Sequence, residues 1–212
     1  MTPSIGVLIS GRGSNLRAII AAIEAGTVRA RIAVVIANKT DAAGLDAAKA
    51  AGLPTVTMLA RDFPSRDAFD QAVAGTLVQH GVSLVCLAGF MRLVGAPLLE
   101  AFPNRILNIH PSLLPAFPGL DAQQQALDYG VAVSGATVHF VNADLDGGTI
   151  IAQAVVPVHD TDTVDVLSAR ILEQEHRLYP AAIATVLAGG WRIDGRRFVA
   201  APERASDRTR GL

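Results

Sequence analysis

The sequence predicts an α/β fold: a mostly parallel, twisted sheet with helices on both faces and an antiparallel part toward the C-terminus. Three observations carry this expectation. Short apolar runs alternate with helical periodicities through the first half, and a glycine-rich turn joins the first run to the first helix. In the second half, two strand-like runs flank a turn-rich segment, the pattern of antiparallel neighbours.

Ile5 to Ile9 is the first buried strand; Ser10-Gly11-Arg12-Gly13-Ser14-Asn15 ends it, and Leu16, Ile19, Ile20 and Ile23 then recur at helical spacing. Ile32 to Ala37 is a second strand, Ala42 to Ala51 a helix stopped by Gly52, and Thr55 to Met58 a short third strand. Pro64-Ser65-Arg66-Asp67 reads as a helix start, with Phe69, Val73, Leu77 and Val78 on the inner face and Gly81 as the stop. Leu84 to Ala88 and Arg105 to Ile109 are further strands around a short helix near Pro97 to Phe102. A Pro-rich loop from Pro111 to Gly119 leads to a helix at Ala122 to Tyr129. The strands Ala136 to Val141 and Ile150 to Val156 follow, then a long helix from Val164 to Leu187 and a polar end from Glu203.

A chain of 212 residues, half of them apolar, suits one domain that needs no disulfide or metal staple. Cys86, the only cysteine, sits in the apolar run Val82 to Ala88 and is expected as a buried thiol. A net charge of −1 argues against a broad nucleic-acid footprint or a polybasic membrane anchor, and points to small-molecule partners. No apolar run approaches the ~20 residues of a membrane span, and Met1-Thr2-Pro3-Ser4 lacks a basic signal region, so the expected location is the cytoplasm. The residues are compatible with a monomer or a homodimer.

The loop Ser10 to Asn15 brings backbone amides and a helix N-terminus to one place, a cup suited to a phosphate, although it is neither a Walker loop nor a full dinucleotide fingerprint. Its plainer alternative is that Ser14 or Asn15 only caps the helix. In Leu107-Asn108-Ile109-His110-Pro111, Asn108 and His110 project from one strand face, placing an amide and an imidazole side by side at a strand end. Asp146, ahead of Gly147 and Gly148, is either turn chemistry or the acid that orients His110 and raises its pKa. The five histidines show no short ligand spacing and no Gly-x-Ser-x-Gly elbow exists, so neither a metal site nor a serine hydrolase is expected. On pattern alone Met91 and Leu93 read as core, and His139 as either a site residue or a satisfied strand histidine.

Ile9 to Leu16, Leu87-Ala88-Gly89-Phe90-Met91-Arg92, Leu107 to Pro115 and Leu145-Asp146-Gly147-Gly148, in this order, resemble the folate-dependent phosphoribosylglycinamide formyltransferases from about Ile5 to Pro180. The resemblance implies a Rossmann-like formyltransferase fold over 1–202, with a phosphate-binding half at about 1–102, a folate and catalytic half at about 103–202 and a flexible tail at 203–212. It implies formyl transfer from 10-formyltetrahydrofolate to the amine of glycinamide ribonucleotide, without metal. By the same resemblance Asn108, His110 and Asp146 are catalytic; Gly13, Ser14 and Asn15 hold the phosphate; and Glu175 contacts the ribose. The folate lies against Met91, Arg92, Leu93 and Val94, with Arg66, Asn108 and the loop Asn142, Ala143, Asp144, Leu145 and Asp146 completing its site. The bond matching Leu114-Pro115 is cis in that family, and Ala116 stands where some of its members carry a basic residue.

The residue chemistry is consistent with that reading. Formyl transfer to an amine passes through a tetrahedral oxyanion, which an imidazolium at His110 and the Asn108 amide can each stabilise by ~3 kcal/mol. Asp146 is expected to keep His110 protonated near neutral pH and to help relay a proton. A 10-formyltetrahydrofolate hydrolase is the alternative within the superfamily, but its usual N-terminal regulatory extension does not fit a first strand at Ile5. The C-terminal extension of methionyl-tRNA formyltransferases likewise does not fit a chain whose last long helix ends near Leu187. A non-catalytic nucleotide-binding module would use the glycine loop and leave Asn108, His110 and Asp146 without a reason to converge.

Overall fold

The structure, a computed structural model, describes residues 2–200; the polar end from Glu203 lies outside them. The strands are β1 (Ser4–Ile9), β2 (Arg31–Ala37), β3 (Thr55–Thr57), β4 (Leu84–Leu87), β5 (Ile106–His110), β6 (Val133–Phe140), β7 (Ile150–Pro157), β8 (Arg192–Asp194) and β9 (Arg197–Val199). The helices are α1 (Ser14–Glu24), α2 (Gly44–Ala50), α3 (Arg66–Gln79), α4 (Ala96–Ala101), α5 (Ala122–Tyr129) and α6 (Val164–Ala188). The strands form one nine-stranded sheet in the order β3-β2-β1-β4-β5-β6-β7-β9-β8. The first five are mutually parallel; β6 pairs antiparallel to β5, and β7 antiparallel to β6, as the composition of the two halves predicts.

The sheet is buried on both faces, which is why its central strands read as continuous apolar runs. Val7, Ile9, Leu107 and Val138 pack under α1, α2, α5 and α6, against Leu16, Ile19, Leu45, Ala126, Ile171 and Ile183. Leu8, Val85 and Ile106 face the other way, onto Phe69, Val73 and Leu77 of α3 and Leu98 of α4. Ser65 caps α3 by accepting from the Ala68 amide, and Thr163 caps α6 by accepting from Val166. One expectation for α3 is corrected: Val78 is 61% exposed, and the inner face is completed by Asp70 instead. The helix turns its 69, 73 and 77 row inward, and 78 lies outside that stripe.

The strand order reverses between β1 and β4, so their following loops bound a crevice at the carboxyl ends of the parallel strands, where such sheets bind ligands. The two loops are tied together there: the Ser10 amide donates to the Gly89 carbonyl at 3.1 Å, and the Met91 amide to Ser10 Oγ at 2.8 Å. Gly13, at φ 70°, is the residue before α1, and a Cβ there would meet the Gly44 Cα at 2.5 Å. The glycine loop is thus shaped by a left-handed turn and by the close approach of α2, both of which exclude a side chain.

Sequence patterning did not anticipate the hairpin β8–β9, which extends the sheet beyond β7 through the Ile150 and Arg197 pair. Trp191 and Phe198 stack near Phe140, with ring centroids 5.1 and 6.1 Å from it. Among the described residues, no helix is long and apolar enough to cross a membrane.

Candidate active site

β5 ends in Asn108 and His110 on one face, with Leu107 and Ile109 packed in the core on the other. Antiparallel β6 places His139 opposite Asn108 and Thr137 opposite His110. The loop after β6 then folds back over these residues and delivers Asp146, held in the left-handed region at φ 49°. Residues far apart in sequence thereby converge. His110 Nδ1 lies 3.4 Å from Asp146 Oδ2, and His139 Nε2 lies 3.6 Å from Asp146 Oδ1.

The hydrogen bonds define each ring. His139 donates from Nδ1 to the Phe140 carbonyl at 2.8 Å, and its Nε2 lies between Asn108 Nδ2 at 3.3 Å and Asp146 Oδ1. His110 donates from Nε2 to the Phe117 carbonyl at 2.8 Å, which turns Nδ1 toward Asp146. Ser112 supports this loop by donating to the Ala116 carbonyl at 2.6 Å. Asp146 also accepts from the Gly119 amide at 2.8 Å. The segment between β5 and α5 therefore carries both partners of the pair, and its Leu114-Pro115 bond is cis.

Burial lowers the His110 pKa below the ordinary imidazole value; the Phe117 carbonyl and the Asp146 charge offset it in part, and His139 adds to it. This corrects the expectation that Asp146 keeps His110 protonated near neutral pH: at 4% exposure the desolvation cost outweighs the carboxylate. Burial works against the charged form of Asp146 too, but the His139 contact, the Gly119 amide and the His110 ring outweigh it and hold its pKa below the usual carboxylate range. Burial thus favours the neutral imidazole beside the Asp146 carboxylate, an arrangement suited to a proton acceptor with a ready counter-charge.

At the glycine loop, neither Ser14 nor Asn15 acts as a helix cap; Gly13 occupies the cap position and no side chain bonds there. Asn15 instead donates from Nδ2 to Glu175 Oε2 of α6 at 2.7 Å, with both residues buried. Burial raises the Glu175 pKa, against the pull of Asn15 and of the Arg12 charge. From Ser14 a groove of about 780 Å³ runs between α1 and α6, lined by Arg17, His176 and Arg177. The surroundings of the loop are basic, which suits an anion.

Met91 and Leu93 are 65% and 57% exposed, so the core reading of this pair fails and the apolar side chains face the crevice rim. Arg92 lies with its guanidinium carbon 4.7 Å above the Phe69 ring, and Arg66 Nε stands 3.9 Å from Asp70. Val94 packs at the edge of the α3 and α4 core. In the 142–146 loop, Asp144 accepts from Asn142 Nδ2 at 3.3 Å and returns its own amide to Asn142 Oδ1 at 3.2 Å; Ala143 and Leu145 are exposed. The rim thus brings Met91 to Val94 together with Arg66, and the loop meets Asn108 through Asp146 and His139.

With this geometry in view, the formyl transferase family model matches residues 4–183. The chain belongs to the formyl transferase family. Its sequence is 44% identical over 193 residues to the phosphoribosylglycinamide formyltransferase of Escherichia coli, covering 91% of this chain and 88% of that one. It is 46% identical over 189 residues to the trifunctional purine biosynthetic protein adenosine-3 of Bos taurus, of which it spans 19%. The crystal structure of glycinamide ribonucleotide transformylase 1 from Symbiobacterium toebii superposes with a TM-score of 0.94 at 56% identity, covering 95% of both chains. The hairpin β8–β9 lies outside the span of the formyl transferase model.

Sequence reasoning left His139 undecided and missed Phe117 and Gly119. His139 carried one usable signal: Thr137 and His139 alternate with Val138 and Phe140, a polar row facing the strand that bears Asn108 and His110. The Phe117 carbonyl and the Gly119 amide act through backbone and leave no mark in residue type.

Proposed function

We propose that this chain transfers the formyl group of 10-formyltetrahydrofolate to the amine of 5'-phosphoribosylglycinamide, giving the N-formyl product and tetrahydrofolate in de novo purine synthesis. It does so in the cytoplasm, on small-molecule substrates and without metal. The observation that carries this reading is the convergence of Asn108, His110 and Asp146, within 3.4 Å for the imidazole and carboxylate, in a formyl transferase fold.

The chemistry follows from the residues. Gly13, Ser14 and Asn15 hold the acceptor's phosphate at the α1 N-terminus, and Glu175 takes a ribose hydroxyl. The pterin and benzoyl parts of the donor lie on Met91, Leu93 and Val94 and under the 142–146 loop, with Arg66 and Arg92 toward the outer end. Attack of the amine on the formyl carbon turns the carbonyl oxygen into an oxyanion, to which the free Asn108 N–H donates; a donor so placed is worth ~3 kcal/mol in the transition state. Neutral His110 takes the proton that the amine sheds, at Nδ1, and Asp146 stabilises the imidazolium formed. The same proton leaves to N10 of the folate as the carbon–nitrogen bond to the donor breaks, so the groups balance. The His110 role therefore shifts from the standing cation expected from sequence to a base that becomes a cation during the reaction.

Donor turnover by the purified chain, measured with and without glycinamide ribonucleotide, tests the reading. Turnover that requires the acceptor supports transfer, and equal turnover without it overturns transfer in favour of hydrolysis.

A further inference from the structure

Asp70 is a carboxylate at 2% exposure, and the chemistry assigned above makes no use of it. Buried acids persist where partners satisfy them. Its partners are distributed over the folate rim. The Gly95 amide donates to Asp70 Oδ2 at 2.7 Å, and Arg66 Nε stands 3.9 Å from the same oxygen, one helical turn earlier on α3. Arg92, stacked on the neighbouring Phe69, is close enough to influence the carboxyl electrostatically. Its Nε is buried with no hydrogen-bond partner among the described residues. The fit around the carboxylate is tight, since a Cβ on Gly95 would come within 2.5 Å of Asp70 Oδ2.

Arg66 thus lies in ion-pair range of a buried anion, and its side chain remains 47% exposed. Among the described residues Arg66 has no other acid within ion-pair distance. A guanidinium has a planar fork of donors, and anchoring one edge leaves the rest aimed in a fixed direction. The same carboxylate pins the 91–95 segment through Gly95, so it sets the apolar shelf of Met91 and Leu93 and the charged end together.

We infer that Asp70 is a positioning residue: it holds Arg66 and the 91–95 segment so that the Arg66 guanidinium meets the anionic glutamyl tail of the folate donor. This rests on the formyl transfer reading above. Asp70 touches no reacting atom and acts through Arg66, so its removal weakens donor binding and spares the chemical step.

The test compares two donors, 10-formyltetrahydrofolate and its pteroyl analogue lacking the glutamate, in the unsubstituted protein and in Asp70→Asn. The asparagine keeps an oxygen for the Gly95 amide and removes the charge. The expected result is a KM for the glutamyl donor raised about tenfold, the size of one charge-assisted contact. The kcat, the acceptor KM and the KM for the pteroyl donor stay within about twofold, because none of them uses the arginine fork. In the Arg66→Ala background, Asp70→Asn adds less than it does alone, because the partner through which it acts is gone. Equal losses for both donors, or full additivity with Arg66→Ala, overturn the inference while leaving formyl transfer intact. Absence of transfer by the unsubstituted protein overturns the formyl transfer reading and this inference with it.

Discussion

Asn15 Nδ2 donates to Glu175 Oε2 at 2.7 Å, joining the glycine loop to α6 across 160 residues of sequence. One hydrogen bond thereby couples the loop proposed to hold the phosphate to the residue proposed to contact the ribose. Asn15→Ala removes the donor and leaves a buried carboxylate unpaired, a cost of about 1–3 kcal/mol. The expected outcome is a lower melting temperature and a raised acceptor KM with an unchanged donor KM, read by calorimetry and steady-state kinetics.

Asp146→Asn tests the carboxylate without disturbing the loop. Position 146 has φ 49°, a conformation that asparagine tolerates as well as aspartate. The amide cannot stabilise an imidazolium at His110, so kcat is expected to fall by about 10²–10⁴-fold, the range for a positioned acid–base group. The melting temperature should change little by comparison. Near-normal kcat in this variant would remove Asp146 from the proton path.

The lowered His110 pKa gives a signed pH prediction. A base works only when neutral, so the rate should hold across neutral pH and fall on acidification, with a midpoint below the ordinary imidazole value of about 6.5. Stability follows the same sign. The unfolded chain binds the proton more readily than the buried ring, so this group's contribution is present above the unfolded pKa and is lost as pH falls toward the folded one. A rate profile from pH 5 to 8 checks the first statement. An acid limb lying above the ordinary value would contradict it.

Cys86 lies in β4 with its thiol pushed up to about 12 by burial, which a contact from Tyr179 offsets only in part. Tyr179 bonds to the Leu87 and Leu107 carbonyls at 3.0 Å and closes the space around it. A thiol so raised is almost wholly protonated at neutral pH and unreactive. The native protein should therefore resist a disulfide reagent that labels it stoichiometrically once denatured. Rapid labelling of the native state would contradict this burial.

The parallel half of the sheet was legible because its central strands are buried on both faces and most of its loops carry glycine or proline; strand and helix ends moved by only a few residues. The pairing of Asn108 with His110 was legible from strand alternation; Asp146 stood out as an acid in a glycine turn, and only the resemblance favoured its meeting His110 over plain turn chemistry. Val78 was misplaced because α3 spends an inward position on Asp70, whose reason to be buried is the Gly95 amide, invisible to an apolar pattern. Met91 and Leu93 were read as core because apolar residues at a ligand rim and in a core look alike until exposure is known. The hairpin β8–β9 escaped notice because its strands have three residues each and Arg192, Asp194, Arg196 and Arg197 mask its alternation. Its register rests instead on Trp191 and Phe198, and Arg196 Nη2 donates to the Gly147 carbonyl at 3.0 Å beside Asp146. The sign of the His110 shift depended on how deeply the ring is buried, which spacing does not encode.

The central claim is that Asn108, His110 and Asp146 move a formyl group onto an amine. It is tested most directly with donor carrying a carbon-13 label in the formyl group and glycinamide ribonucleotide as acceptor, products being read by mass spectrometry. The account predicts label in the acceptor, in step with tetrahydrofolate formed, and its near-complete loss in His110→Ala. Label appearing as free formate, with none in the acceptor, would contradict it.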